Sequence, residues 1–296
     1  MITHGMADSF KQITMAVMLV VSLGLTLICR SDAGTSAWPN EPAGSTLITD
    51  NPFDCITCNG WNVSFNTGVS IVTDATAPLS PSNVLQHRYA TGFVGGSAPG
   101  VVYYGLPSNL REVYIGHWWK PSNPWHGHSS GINKTVFIWG GQPSGTGALV
   151  YFDMRGSTGA YHYEATMSTT TINNCHIGNG DCPGTRNFSA NASSTVVTLG
   201  VWHRIEIYLK PSTTTSSKDG IMRWWVDGVL TGNYTTVNYQ SDPWNEFQIS
   251  PTWGGIGDTK IETDFFWWDH IRISSGGVLG LGDSTPPAAP TGLRAI

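Results

Sequence analysis

The sequence predicts an all-β fold, an antiparallel two-sheet jelly-roll β-sandwich, on three observations. Only 12% of the residues are charged, and Gly, Pro, Ser, Thr and Asn take the place of helix-forming residues, which favours short strands joined by turns. Several segments alternate apolar and polar residues with a period of two, as strands with one buried face do. These segments number ten or more, and the loops between them have uneven lengths, as in a jelly roll.

Two segments show the alternation most clearly, 111–120 and 202–210. In each, every second residue is apolar and is expected to face the core, while the opposite side is both polar and aromatic. The expected core residues are Val113, Ile115, Trp119, Ile205, Ile207 and Leu209.

The other predicted strands complete the two sheets. Asp227-Gly228 stands between two apolar runs and predicts a two-residue hairpin. Residues 133–139, 149–152 and 160–164 are expected in the middle of a sheet, and 247–250 and 265–274 close the domain.

The N-terminal segment has the pattern of a secretory signal peptide. Lys11 precedes an apolar run over 13–28, and small residues offer cleavage points near Ala33 or Ala37. An uncleaved anchor is the alternative, although the run is short for a bilayer-spanning helix of about 20 residues. We therefore expect a leader over 1–37, export to the cell surface or the extracellular medium, and no membrane contact after cleavage.

The sandwich is expected to occupy 38–275, and a Gly/Pro-rich linker to follow over 276–296. Residues 284–295 resemble the opening of a fibronectin type III module, which implies a longer modular secreted protein. With 15 Lys+Arg against 20 Asp+Glu, the chain lacks the basic surface of a nucleic-acid-binding protein.

Four cysteines remain once the leader is removed, an even number that suits an oxidising compartment. Each pair lies in a loop rich in Gly, Asn or Asp, which predicts the disulfides Cys55–Cys58 and Cys175–Cys182. A four-cysteine zinc site is the alternative, but the spacing of the second pair is longer than zinc knuckles use.

Three fold landmarks stand along the chain. They are a Trp-x-x-x-Glu strand from Trp202 to Glu206, the Trp-Val-Asp-Gly of 225–228, and the Trp-Asp-His-Ile-x-Ile-Ser of 268–274. With them the sequence resembles the concanavalin-A-like lectin and glucanase superfamily. The resemblance implies two packed antiparallel sheets, one of them bent, with glycans lying across a concave face.

Within that superfamily, 113–120, 131–134, Gln248 and 253–255 are similar to the lyases related to heparin lyase and to glucuronan or alginate lyases. In those enzymes a basic residue, a Gln, a His and a Tyr meet in the cleft. The resemblance therefore implies β-elimination on a uronate-containing glycan. This reaction needs a base, an acid and a partner for the uronate carboxylate. The expected base and acid are His162 and Tyr163, and the expected carboxylate partners are Lys134 and Gln248.

Two other functions remain open. A glycoside hydrolase would need two carboxyl groups across the scissile bond; Glu206 and Glu246 are the expected pair, with Glu112 and Glu164 in reserve. A non-catalytic lectin-like module would need only aromatic platforms and hydrogen-bonding neighbours. The residues expected to bind the glycan in any of these functions are Tyr114, Trp118, Arg204, Glu206, Tyr208, Arg223, Trp225 and Trp253.

No cofactor is expected to be required for the reaction, and the expected partner is an extracellular polysaccharide. A structural calcium ion is expected as an option, because Asp50, Asp54 and Asp269 lie near the two ends of the domain.

Overall fold

The computed structural model describes residues 37–276, with gaps at 66, 81–82, 142–147, 157–158, 170–175, 178–179, 182–183, 192–194, 215 and 239–241. At 168–169, 176–177, 180–181 and 184–186 only the backbone is described. The predicted leader, the fibronectin-like segment and the second cysteine pair lie outside the described residues, so these three remain predictions. Among the described residues, no helix is long and apolar enough to cross a membrane.

The strands over this part of the chain form two antiparallel sheets, which confirms the predicted sandwich. The first half of the chain supplies β1 (Leu47–Asn51), β2 (Asn62–Phe65), β3 (Val69–Val72), β4 (Val84–Tyr89), β5 (Val101–Leu110), β6 (Val113–Pro121), β7 (Ile132–Gly140) and β8 (Ala148–Arg155). The second half supplies β9 (Tyr161–Thr169), β10 (His176–Ile177), β11 (Gly180–Asp181), β12 (Gly184–Phe188), β13 (Val196–Val197), β14 (His203–Lys210), β15 (Gly220–Val226), β16 (Val229–Val237), β17 (Trp244–Ile249) and β18 (Asp264–Ser275).

One sheet has ten described strands in the order β11-β10-β16-β15-β14-β6-β18-β4-β3, with β1 also paired to β18. The other has eight in the order β12-β9-β8-β7-β17-β5-β2, with β13 also paired to β9. The inner faces meet in one core, where Trp125 stacks on Phe266 at 4.0 Å and Trp119 meets the same ring edge-on at 5.1 Å.

The alternation read from the sequence holds where it is clearest. Val113, Ile115 and Trp119 on β6 are fully buried in the core, and so are Ile205, Ile207 and Leu209 on β14. Asp227 and Gly228 form the predicted hairpin between β15 and β16, both with positive φ, 52° and 83°.

A short 3₁₀ turn over Cys58–Gly60 follows β1, and Cys55 and Cys58 form the predicted disulfide there. Because these two thiols are joined to each other, the four-cysteine zinc site is wrong for this pair.

Candidate functional site

A row of side chains crosses the outer face of the eight-stranded sheet, the face turned away from the core. Strand register places Tyr103 on β5, Gln248 on β17, Phe137 on β7, Tyr151 on β8 and Thr166 on β9 side by side. Their neighbours along each strand, such as Val136, Phe152 and Ile249, are core residues. We call this outer surface the site face.

The charged residues of the site face lie in the next two rows. Lys134 on β7 pairs with Asp153 on β8, and Asp153 pairs with Glu164 on β9. One step further along β8, Arg155 pairs with His162 on β9. Three of the four predicted catalytic residues therefore lie on the same face, namely Lys134, Gln248 and His162.

Lys134 and Tyr151 are in direct reach of each other. The Lys134 Nζ lies 5.4 Å from the centre of the Tyr151 ring. Burial lowers the pKa of Lys134, partly opposed by the negative charge of Asp153. Burial raises the pKa of Tyr151, although its hydrogen bond with Thr166 works in the other direction. The amine is thus shifted toward its neutral form and the phenol is held protonated, which suits one to accept a proton and the other to donate one.

Arg155 is fixed by a bidentate ion pair with Asp153, whose two carboxylate oxygens accept from Nε and Nη2 at 3.1 and 2.9 Å. Its Nε is also 3.3 Å from a carboxylate oxygen of Glu164, and Nη2 donates to Thr166 at 3.1 Å. Asp153 is completely buried, and burial raises its pKa to about 6 despite the arginine. The Arg155 guanidinium is therefore held in one position next to the row that contains Lys134 and Asp153.

Aromatic rings form the middle of the site face. Phe137 packs against Tyr151 at 5.4 Å and stacks with Trp139 at 6.4 Å and 15° between planes. Trp139 is half-buried and stands opposite Glu246 on β17. Flat rings of this kind stack on the apolar faces of sugar rings. Glu246 accepts a hydrogen bond from the amide of Gln248, which fixes both side chains.

Tyr163 is not part of this face, so its predicted role as base or acid is wrong. It is fully buried in the core, where its hydroxyl hydrogen-bonds Thr135 at 2.8 Å and its ring stacks on Phe152. Burial also raises the pKa of its phenol. Because neighbouring strand residues point to opposite sides, His162 and Tyr163 cannot share one cleft.

Most residues predicted to bind the glycan lie on the other sheet. Tyr114, Trp118, Arg204, Glu206, Tyr208 and Trp225 occupy the outer face of the ten-stranded sheet, which we call the covered face. Trp38 packs there against Tyr114, Tyr208 and Trp225. A Cβ on Gly116 would lie 2.4 Å from the Trp38 ring, so only glycine fits under the indole.

Glu206, on the covered face, has its carboxylate filled by hydrogen bonds from within the protein. Its carboxylate is fully buried and accepts from the Asn40 backbone at 2.9 Å, the Asn40 side chain at 3.0 Å, and the Tyr114 hydroxyl at 2.7 Å. The Arg204 Nε donates at 3.0 Å. Tyr208 donates to Glu112 at 2.8 Å. The prediction that Tyr114, Glu206, Tyr208 and Trp225 line a glycan cleft is therefore wrong, because all four are buried beneath or beside the segment around Trp38. Trp118 and Arg204 are half-buried on this face, and their role in glycan binding stays a prediction.

Two further predicted binding residues also serve the fold. Arg223 on β15 donates to Asn233 on the neighbouring β16 at 2.8 Å. Trp253 is buried and donates from Nε1 to the backbone oxygen of His126 at 3.0 Å.

The predicted hydrolase pair is separated as well. Glu206 lies on the covered face and Glu246 on the site face, so the two carboxylates stand on opposite sides of the sandwich and cannot flank one glycosidic bond. Of the reserve carboxylates, Glu164 is on the site face, and Glu112 pairs with Lys210 at 3.1 Å at the other sheet.

The acidic residues considered for calcium have separate partners. Asp50 is 3.4 Å from Arg272, Asp54 accepts from Asn83, and Asp269 accepts the backbone N–H of Leu79 at 2.6 Å. Within the described residues, no three His, Cys, Asp or Glu side chains form a group that could hold a metal ion. The calcium ion remains a prediction.

Tyr151, Asp153 and Arg155 were missed as functional residues, although 149–152 was predicted to be a strand. The signal was present in the alternation: Val150, Phe152 and Met154 are core residues, which sends Tyr151, Asp153 and Arg155 to the opposite face together. Three successive outward-facing polar residues on one strand, next to a lysine on the neighbouring strand, indicate a candidate functional site.

The two-sheet antiparallel β-sandwich is a fold that this chain shares with several solved structures. No protein-family model matches the sequence, and no curated protein does. Among solved structures, the chain is similar to an alginate lyase from Chlorella virus, with a TM-score of 0.58, 16% identity, and coverage of 78% of this chain and 100% of that one.

It is also similar to an endo-β-1,4-glucuronan lyase from the fungus Trichoderma reesei, with a TM-score of 0.53, 16% identity, and coverage of 78% and 96% of the two chains. A third similar structure is an endo-β-galactosidase from Clostridium perfringens that releases GlcNAcα1-4Gal, with a TM-score of 0.51, 12% identity, and coverage of 80% and 64%. At these identities the likeness establishes the shared fold, and the chemistry has to be argued from the site face.

Proposed function

We propose that this protein is a secreted polysaccharide lyase that cleaves a uronate-containing glycan by β-elimination on the site face. The observation that carries the proposal is the Lys134–Tyr151 pair: the Nζ of the half-buried Lys134 lies 5.4 Å from the centre of the Tyr151 ring, and the pKa values of the two groups are shifted in opposite senses. The fold shared with alginate and glucuronan lyases supports it.

The reaction assigns one role to each group. The neutral Lys134 amine takes the proton on the sugar carbon next to the uronate carboxylate, and the electron pair left behind forms the new carbon–carbon double bond. The glycosidic C–O bond breaks, and the leaving oxygen receives the Tyr151 phenol proton. Solvent then carries a proton from the Lys134 ammonium to the Tyr151 phenolate and restores both groups.

The carboxylate must be stabilised while the neighbouring carbon loses its proton. The site face offers two separate donors for this, the second N–H of the Gln248 amide on β17 and the outer edge of the Arg155 guanidinium on β8, with β7 between their strands. The half-buried Trp139, stacked with the buried Phe137, would hold a sugar ring flat against the sheet, so that the reacting carbon stays in place.

His162 is the second candidate for the base, because it stands beside Arg155 on the same face. Lys134 is preferred since it lies one row from Tyr151 and contacts its ring, whereas His162 is two rows away.

The test is to incubate the purified protein with alginate, glucuronan, heparin-like glycans and neutral glucans and to follow the ultraviolet absorbance of the unsaturated product. A rise with a uronate glycan that is lost in Lys134→Ala and Tyr151→Phe, but not in Tyr163→Phe, would support the proposal. Retained binding with no unsaturated product from any glycan would favour the lectin-like function. N-terminal sequencing of the protein recovered from the medium would test export.

A further inference from the structure

The charges of the site face restrict the kind of uronate glycan it can hold. The cations whose side chains are described there are Lys134 and Arg155, against the carboxylates of Asp153, Glu164 and Glu246. By sequence, the internal gaps in the described chain add no lysine or arginine, and β12 of the same sheet carries one further arginine, Arg186, of which only the backbone is described. A face with this balance is not built to attract a long row of negative charges.

Arg155 has little positive charge left for a polymer. Asp153 engages it through two hydrogen bonds, and Glu164 approaches its Nε at 3.3 Å. The edge it still offers can help to hold one carboxylate at the reaction centre. A second carboxylate further along that row would meet Glu164 instead.

The opposite end of the site face is apolar and acidic. Glu246 stands opposite Trp139, and Trp139 in turn pairs with Leu149 on β8. The Trp139 ring is half-buried, so part of one ring face is open at this end. A neutral sugar would stack on Trp139 and donate hydroxyl protons to Glu246, whereas a uronate there would bring its carboxylate against the Glu246 carboxylate.

The apolar end at Trp139 and Glu246 lies further along the same two strands, β7 and β17, that carry Lys134 and Gln248. Because a strand rises about 3.3 Å per residue, Glu246 lies about 7 Å from Gln248 along β17. A glycan chain lying along these strands therefore places neighbouring sugars at the reaction centre and at the apolar end. We propose that the substrate is a glycan whose uronates are separated by neutral sugars, and that a homopolymer of uronates is a poor substrate. This inference rests on the proposed lyase function.

The test compares polymers that have the same sugar chain but different numbers of carboxylates. A homopolyuronate is reduced chemically so that increasing fractions of its carboxyl groups become primary alcohols, which leaves the ring and the linkage unchanged. We expect the rate per remaining uronate to rise about three- to tenfold at partial reduction, and the unreduced polymer to gain from added salt, which screens the repulsion. A rate per uronate that is highest on the unreduced polymer and falls with salt would overturn the inference.

Glu246→Gln keeps the shape and the bond with Gln248 but removes the charge, so it should raise the ratio of the rate on the unreduced polymer to the rate on the partially reduced one. Glu112→Gln, at the other sheet, is the matched control and should change neither rate. No gain in Glu246→Gln would count against the proposal.

Binding can be measured without catalysis, as the retardation of the wild-type protein in gels that contain each polymer. This measurement distinguishes failure of the charge preference from failure of the proposed lyase function. Absence of unsaturated product from every polymer would refute the lyase, while stronger retention by the partially reduced polymer would still support the charge preference. Strongest retention by the unreduced polymer would refute the preference, even if that polymer is cleaved.

Discussion

Tyr151 and Tyr163 lie on adjacent strands of the same sheet, β8 and β9, and point to opposite sides of it. Tyr151 contacts Lys134 and Phe137 on the outer face, whereas Tyr163 lies in the core with its hydroxyl on Thr135. The two side chains differ in surroundings but not in chemistry, so they form a matched pair for mutagenesis.

Tyr151→Phe should lower kcat by about a hundredfold or more, since it removes the proton donor and keeps the ring. Tyr163→Phe should leave kcat unchanged and lower the free energy of unfolding by about 1 kcal/mol, because it loses one buried hydrogen bond. Initial rates of unsaturated product and urea unfolding measure the two effects. The reverse pattern, with Tyr163→Phe inactive and stable, would contradict the assignment.

Lys134→Met should reduce kcat by about 10²- to 10⁴-fold while the circular dichroism spectrum stays that of the wild type. Lys210→Met is the control, since Lys210 pairs with Glu112 away from the site face. If both variants keep full activity, the amine is not the base.

The pH profile of kcat/KM identifies the base independently. Because burial lowers the pKa of Lys134, the rate should rise with pH and level off below the ordinary lysine value of 10.5. The raised pKa of Tyr151 keeps the acid protonated, so no fall should begin below pH 10. Loss of the rising limb in His162→Ala, with the limb retained in Lys134→Met, would instead assign the base to His162.

Variants of the covered face should lose stability without losing activity. Trp38→Ala should cost about 3–5 kcal/mol, as large buried aromatic deletions do. Glu206→Gln should cost about 3 kcal/mol, because Arg204 then lies beside an uncharged amide. Urea unfolding gives these losses, and activity per folded molecule should match the wild type. Loss of sugar binding in a folded Glu206→Gln protein would show that this face handles glycan after all.

Acid should destabilise the protein through two core histidines. Burial lowers the pKa values of His87 and His117 to about 3, so both stay neutral in the folded state, while the unfolded chain protonates them near 6.5. The unfolded state therefore binds more protons between pH 6.5 and 3, and stability falls as the pH falls through this window, by about 1.4 kcal/mol per pH unit for each histidine.

Urea unfolding at pH 7, 6, 5 and 4 measures this slope. His117→Leu should reduce the slope of the unfolding free energy against pH by about 1.4 kcal/mol per pH unit, which is the contribution of one histidine. An unchanged slope in that variant would mean that His117 does not control the acid response.

The sequence predicted which side of the sheet a strand side chain faces better than it predicted which residues pack against that side chain. The alternation placed Val113 and Ile115 inside and Tyr114 outside, as observed. It also gave the hairpin at Asp227-Gly228, because only residues that tolerate positive φ fit a two-residue turn.

What alternation cannot give is which sheet a strand joins or what lies on top of it. The outward faces of β6 and β14 read as a polar and aromatic groove, and Tyr208 and Trp225 looked like sugar platforms. Trp38, far away in the sequence, covers them. A covering segment leaves no local periodic signal. The site face likewise depends on a non-local pairing, because β17 joins β7 about 110 residues away in the sequence.

The position of β18 also determines how the domain can be assembled. This strand pairs with β6 along one edge and with β4 and β1 along the other, and Asn40 reaches Glu206 across 166 residues. Until residues 264–275 have been synthesised, the larger sheet consists of two halves with open edges in its centre. Such long-range closure makes folding slow, and it exposes the unfinished chain to edge-to-edge aggregation. Shortened versions that lack this last strand should accumulate as insoluble material, and refolding of the intact domain should depend strongly on protein concentration.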